Sequence, residues 1–172
     1  MSIVSRISFF IFVVGLGIGQ GFQPVCGFNY GARKFSRVKE AFSFTLVAGE
    51  VLLGMFAVAG LLFSNQAIAV FRDDAEVIAF GTPALRYQCM ALFLNPLIVL
   101  SNMTLQSTGQ RAWATFLSMM RSGLYLIPMI YILTYTMGAR GIQLAQPVAD
   151  VLAFATALPV IVNFIRKLPE DR

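Results

Sequence analysis

The apolar stretches of this chain hold very few side chains that could carry chemistry, and the carboxylates of Glu50 and Asp150 are foremost among them. A charged group deep in a bilayer costs about 2.5–3.5 kcal/mol on insertion scales, so it normally faces a cavity or a partner. For Glu50 we keep two readings, a role in proton or cation coupling and a structural hydrogen bond to a neighbouring helix. For Asp150 we expect contact with water or with a polar cavity.

Other polar groups also lie within apolar stretches. The amides of Gln20, Gln88 and Asn95 could line a substrate passage, or they could join helices at a modest gain of about 0.6–2 kcal/mol each. Arg121 is expected to extend towards the headgroups at the membrane surface. Because straight helices would place Arg121 and Asp150 at different depths, we do not pair them.

The composition excludes several kinds of catalysis. The chain has no histidine, which removes Ser-His-Asp triads, Cys-His pairs and histidine-containing zinc sites. Cys26 and Cys89 are far apart and lack metal-binding spacing, so both are predicted to be buried free thiols. No second carboxylate stands at helical spacing from Glu50. We therefore expect no enzyme activity, no metal and no cofactor.

The overall composition is that of an integral membrane protein. Hydrophobic residues make up 58% of the chain, charged residues only 12%, and the mean hydropathy is +0.75. Globular domains are closer to about 25% charged. The net charge of +5 sits at the ends of apolar stretches and forms no basic stripe with interleaved aromatics, so the expected partner is a lipid bilayer and not nucleic acid.

Five stretches reach the length of about 20 residues that a spanning helix needs. They cover residues 3–27, 41–64, 77–102, 112–137 and 142–165, joined by short turns, one of which is acidic at residues 72–76. The predicted fold is therefore all-α, a polytopic membrane helix bundle forming one domain over residues 1–172. Four prolines inside the spans are expected to kink them: Pro96, Pro128, Pro147 and Pro159.

Four glycines on the first span form two overlapping pairs at a spacing of four residues, Gly15 with Gly19 and Gly17 with Gly21. Such pairs let helix backbones approach closely in lipid. The interface could be static, or it could flex during transport.

The distribution of cations predicts the topology. Eight cations lie on one side of the membrane and four on the other, led by the cluster that follows the first span: Arg33, Lys34, Arg37 and Lys39. The others on that side are Arg111, Arg166, Lys167 and Arg172, and the opposite side carries Arg6, Arg72, Arg86 and Arg140. The C-terminus is thus expected in the cytoplasm and the N-terminus outside. A first helix in that orientation would be unusual in a complete protein, and we expect upstream helices to be missing.

Three stretches resemble one family. Residues 19–32 read Gly-Gln-Gly-Phe-Gln-Pro-Val-Cys-Gly-Phe-Asn-Tyr-Gly-Ala, and this run is similar to the end of the eighth helix of multidrug and toxic compound extrusion (MATE) transporters. Residues 102–112 are similar to the family's polar helix end that precedes a basic residue. The Gln-Pro-Val-Ala-Asp at 146–150 resembles the start of the family's last helix.

The resemblance implies that the five spans are helices eight to twelve, most of the C-terminal lobe of a two-lobed antiporter. It further implies export of cationic or amphipathic small molecules in exchange for protons or sodium, a missing N-terminal lobe as partner, and location in a bacterial inner membrane. One incomplete lobe is not expected to transport alone. The alternative is a small non-catalytic membrane scaffold or partner-binding subunit.

Overall fold

The computed structural model describes residues 2–71 and 75–169, which form helices joined by short turns. The helices are α1 (Ser2–Gly31), α2 (Phe35–Leu62), α3 (Ser64–Phe71), α4 (Ala75–Leu92), α5 (Asn95–Ser107), α6 (Arg111–Met119), α7 (Leu126–Met137) and α8 (Ala139–Arg166). A π-helical turn at Met120–Tyr125 joins α6 to α7 in one continuous rod. The predicted all-α membrane bundle is confirmed.

Four helical segments are long and apolar enough to cross a membrane: Arg6–Gly31, Phe35–Leu62, Arg111–Met137 and Ala139–Arg166. A fifth crossing consists of two pieces, Ile78–Leu92 and Asn95–Ser107, which meet at an angle of 50°. The span expected over residues 77–102, which Pro96 was expected to kink, thus consists of two helices separated by a break. Proline at position 96 lacks the backbone N–H that a helix interior needs, and it lies in the first turn of α5, where that loss is tolerated.

Other boundaries also differ from those expected from hydropathy. α1 continues through Pro24 to Gly31, and α2 begins at Phe35, so the basic cluster lies on a tight turn and the first turns of α2. Arg33 adopts a positive φ of 58° in that turn. The short helix α3 falls where a turn was expected. Of the acidic turn, residues 72–74 lie outside the described part of the chain.

The glycines of α1 occupy two different environments. Gly15 lies against α2, where an added Cβ would be 2.9 Å from a methyl carbon of Leu53. Gly19 lies against α5, where the Cβ would be 2.8 Å from a methyl carbon of Val99. Nothing lies within 4 Å of the corresponding positions at Gly17 and Gly21. Only one of the two small-residue pairs therefore permits a close approach between helices within the described residues.

α7 and α8 form a tight antiparallel hairpin. Gly138 joins them with φ 61° and ψ −132°, a conformation that strains any residue with a Cβ. Three residues later, a Cβ at Gly141 would overlap the carbonyl oxygen of Leu133 on α7. These two glycines fix the register of the hairpin, and this register matters for the site described below.

The basic turn after α1 and the end of α8 meet at the same end of the bundle. The ammonium of Lys39 donates to the carbonyl oxygen of Leu168 at 3.5 Å, and the rings of Tyr30 and Phe164 lie 6.3 Å apart between centroids. Two of the segments that the charge distribution assigned to one membrane side are thus neighbours in the structure.

Candidate functional site

Among the described residues, a buried ion pair joins the α6–α7 rod to α8. Nε of Arg121 lies 3.0 Å from Oδ1 of Asp150, and the two side chains are 19% and 5% exposed. From the sequence, Arg121 and Asp150 were expected to lie apart, and Arg121 was expected to extend to the membrane surface. Both expectations were wrong. Within the described part of the chain, Asp150 has an arginine for its partner, and it does not face open water.

The register of the α7–α8 hairpin explains the pairing. Arg121 precedes the junction glycine Gly138 by 17 positions and Asp150 follows it by 12. At about 1.5 Å per residue, the offset of five residues places the two backbone positions only about 7.5 Å apart along the bundle axis. An arginine side chain is long enough to close most of that distance. Arg121 also lies in the π-helical turn, a feature often found at functional sites.

The break between α4 and α5 supplies the third member of the cluster. Nη2 of Arg121 donates to Oδ1 of Asn95 at 2.6 Å, and Nδ2 of Asn95 donates to the carbonyl oxygen of Ala91 at 3.2 Å. Asn95 is only 3% exposed and is the first residue of α5. The guanidinium therefore connects the broken helix to α8, and its position depends on the bend.

A cavity of about 320 Å³ opens beside this cluster. One part of its wall is polar and includes Gln88, Asn95, Arg121, Ser122, Gln146 and Asp150. The other part is apolar and includes Phe9, Phe12, Leu92 and Leu126. A wall that combines apolar surface with fixed polar groups, at this volume, is typical of small-molecule sites.

Phe12, Gln146 and Ser8 complete the surroundings of the ion pair at the cavity wall. The guanidinium carbon of Arg121 lies 4.8 Å above the centroid of the Phe12 ring, a cation–π contact. Gln146 donates to Asp150 at 3.5 Å, a weak bond. The hydroxyl oxygen of Ser8 is buried and makes no hydrogen bond among the described residues. Ser8, Phe12 and Gln146 were not selected from the sequence. Counting residues from Gly138 would have revealed the pairing of Arg121 with Asp150, but none of these three residues.

The structure thus brings together three of the five predicted pathway candidates, Gln88, Asn95 and Asp150. The other two lie elsewhere: Gln20 is exposed on α1, and Glu50 is half-buried on α2. Among the described residues, Glu50 makes no ion pair or hydrogen bond. The described part of the chain also contains no group of three or more metal-ligating side chains, and the thiols of Cys26 and Cys89 are buried and free.

Comparison with known proteins gives a consistent result. The model of the MatE family matches residues 1–132. The multidrug export protein MepA of Staphylococcus saprophyticus is 24% identical over 157 residues, which are 91% of this chain and 34% of that protein. The chain thus spans about a third of the length of the curated relatives that it matches.

Solved structures agree on the fold. The chain is similar to the MATE multidrug transporter DinF-BH, solved in complex with R6G, with 32% identity and a TM-score of 0.85 over 94% of this chain and 36% of that one. It is also similar to an inward-facing multidrug resistance MATE family transporter of the MOP superfamily, with 20% identity and a TM-score of 0.88 over 96% of this chain and 39% of that one.

Proposed function

Because the chain belongs to the MatE family, that of the MATE transporters, we propose that it forms most of one lobe of a multidrug efflux antiporter. The proposed activity is the export of cationic or amphipathic drugs and metabolites in exchange for protons or sodium ions. The chain corresponds to about a third of its multidrug-exporting relatives, so the activity proposed is that of an assembly in which this lobe faces another.

The observation that carries this proposal is the cavity beside the bend between α4 and α5. A broken helix is a common way for a transporter to build a substrate site, because the unwound backbone and the helix ends lie within the membrane. Here the break places Asn95 against Arg121 and Asp150, next to the rings of Phe9 and Phe12. The proposal assigns this cavity to the substrate pathway.

The lobe alone is proposed not to transport. Alternating access requires two units that move against each other around a shared site. Purified chain in liposomes should therefore show no drug-driven proton or sodium flux above that of empty liposomes. Robust antiport by this chain alone would contradict that part of the proposal.

The proposed location is a bacterial inner membrane, with the end of α8 and the basic turn in the cytoplasm and the start of α1 outside. The exposed cations Arg33, Lys34 and Arg37, at the end of the bundle where Lys39 contacts the segment after α8, support this orientation. This orientation can be tested with single cysteines introduced into the basic turn and next to Arg140. Intact cells that express these variants are labelled with a membrane-impermeant maleimide. The residue next to Arg140 should react and the one in the basic turn should not.

A chimaera tests the transport function directly. This chain replaces the matching segment of DinF-BH, the 32% identical transporter, and efflux-deficient bacteria express the product. We expect the chimaera to lower ethidium accumulation, and a chimaera with Asp150→Asn to lower it much less. Asn163→Asp is the matched control, since Asn163 is exposed on the same helix and does not line the cavity. A chimaera that is folded and present at the cell surface, but that leaves ethidium accumulation unchanged, would count against the proposal.

A further inference from the structure

The charge that the cavity presents to an incoming molecule is set by the exposure of the two ion-pair partners. Asp150 is 5% exposed and is already neutralised by Arg121, whereas Arg121 is 19% exposed. Among the described residues that line the cavity, these two are the ones that carry charge. The guanidinium is therefore the charge that a molecule in the cavity meets first.

Arg121 has N–H groups that form no hydrogen bond with the described residues. A guanidinium carries five N–H groups, of which one on Nε binds Asp150 and one on Nη2 binds Asn95. The remaining three have no partner within the described part of the chain. Planar guanidinium groups bind carboxylates and phosphates through two parallel N–H bonds, a geometry that ammonium groups cannot match.

Neighbouring groups add to this arrangement. The Ser8 hydroxyl, which is buried without a hydrogen bond, and the side-chain amide of Gln88 are further donors at the cavity wall. Phe9 and Phe12 lie on the same wall and offer ring surfaces for an apolar body. A cation, by contrast, would have to displace Arg121 from Asp150 before it reached the buried carboxylate.

We infer that this cavity binds an oxyanion attached to an apolar, ring-containing body, with the oxyanion on Arg121 and the body against Phe9 and Phe12. The inference rests on the proposed function and deepens it, because it names amphipathic anions as one class of substrate that this cavity accepts through Arg121. A cation such as ethidium would use the same cavity through Asp150, after displacing Arg121. The oxyanion could be the carboxylate of a soluble metabolite or the phosphate of an anionic lipid, and both have the same chemistry at Arg121.

Binding by the purified chain in phosphatidylcholine nanodiscs tests the inference without any transport step. The probes are 6-fluoro-2-naphthoate and the equally sized 6-fluoro-2-naphthylmethylammonium, each titrated by fluorine NMR against nanodiscs with and without protein. The wild-type chain should bind the naphthoate, and Arg121→Gln should weaken that binding at least tenfold. Arg121→Lys should give an intermediate loss. Arg111→Gln, an exposed cation on the same rod, should change nothing.

The double variant Arg121→Gln/Asp150→Asn keeps the cluster uncharged, so it guards against loss of binding through misfolding of the single variant. It too should fail to bind the naphthoate. The inference is overturned if the wild-type chain does not bind the naphthoate, if Arg121→Gln and the double variant bind it normally, or if the ammonium probe binds more tightly and loses its binding in Asp150→Asn. The result of the efflux assay on the chimaera does not depend on these binding outcomes, so the two proposals can fail separately.

Native mass spectrometry of chains taken from nanodiscs that contain phosphatidylglycerol identifies the source of the oxyanion. A lipid retained by the wild-type chain and lost from Arg121→Gln assigns the site to a lipid phosphate. Naphthoate binding without such retention assigns it to a soluble amphipathic anion.

Discussion

Replacing Arg121 by methionine should destabilise the bundle more than replacing its partner Asp150 by asparagine. The methionine fills much of the same space but leaves the carboxylate of Asp150, 5% exposed, without its counterion. At the observed 3.0 Å, two unit charges attract each other by about 5.5 kcal/mol at an effective dielectric constant of about 20. Breaking a buried pair on one side typically costs about 3–5 kcal/mol.

The substitution at the other partner, Asp150→Asn, should lower the free energy of unfolding by less, about 1–2 kcal/mol. Arg121 is 19% exposed, keeps its bond to Asn95 and its contact with Phe12, and can donate to the new amide oxygen. A hydrogen bond between membrane helices contributes only about 0.6–2 kcal/mol. A loss above about 3 kcal/mol therefore identifies an unpaired buried charge rather than a lost hydrogen bond.

Both cysteines suit this measurement, because Cys26 and Cys89 are fully buried and free. A maleimide dye that fluoresces on reaction with thiols reports unfolding of the purified chain in detergent as the temperature rises. For a chain of this size, 1 kcal/mol corresponds to a Tm shift of about 2–4 °C. We expect Tm to fall by about 6–20 °C in Arg121→Met and by about 2–8 °C in Asp150→Asn.

The double variant Arg121→Met/Asp150→Asn completes the cycle and should recover part of the loss, because no charge remains buried. Arg111→Met on the exposed face of α6 is the matched control and should stay within about 0.5 kcal/mol of wild type. A Tm for Arg121→Met within 2 °C of wild type, or a larger loss in Asp150→Asn, would refute the account of a buried pair.

Two further predictions follow from the packing, and a third concerns Glu50. Gly19→Val should cost about 1–3 kcal/mol in the same thermal assay, because the Cβ alone would lie 2.8 Å from a methyl carbon on α5. Gly17→Val should be nearly neutral, since nothing lies near that position. Equal losses in the two variants would contradict this packing. Gly141→Ala should cost a similar amount, because the added methyl group would overlap a backbone carbonyl of α7. Gly123→Ala should leave the stability nearly unchanged, because the space around Gly123 is open. A stable Gly141→Ala variant would contradict the tight hairpin. Glu50, half-buried on α2, makes no ion pair or hydrogen bond among the described residues, so the coupling role is the reading that remains to be tested. If Glu50 has that role, Glu50→Gln in the efflux chimaera should reduce the dependence of ethidium export on the proton or sodium gradient, and unchanged coupling would exclude it.

Hydropathy and charge alone predict most of this fold, because a bilayer permits only long apolar helices in a single chain of this composition. The basic cluster at Arg33, Lys34, Arg37 and Lys39 marks one end of the bundle in the structure as it does in the sequence. The break before Asn95 was less visible, because a proline inside an apolar stretch can kink a helix or interrupt it, and packing decides between them.

The site was harder to predict than the fold. Pairing Arg121 with Asp150 depends on the register of the α7–α8 hairpin, which two glycines set through contacts that no periodicity reveals. Depth along an ideal helix placed the two residues apart, whereas the length of an arginine side chain spans the difference. The orphaned hydroxyl of Ser8 and the ring of Phe12 enter the site only through packing between distant segments.

The most direct test of a transport function that depends on this cavity is ethidium accumulation in efflux-deficient bacteria that express the DinF-BH chimaera. We expect the chimaera to lower ethidium accumulation and Asp150→Asn to abolish most of this effect, while Asn163→Asp leaves it unchanged at equal surface expression. A chimaera that exports ethidium equally well with Asp150→Asn would contradict the claim that the cavity beside the Arg121–Asp150 pair lies on the substrate pathway.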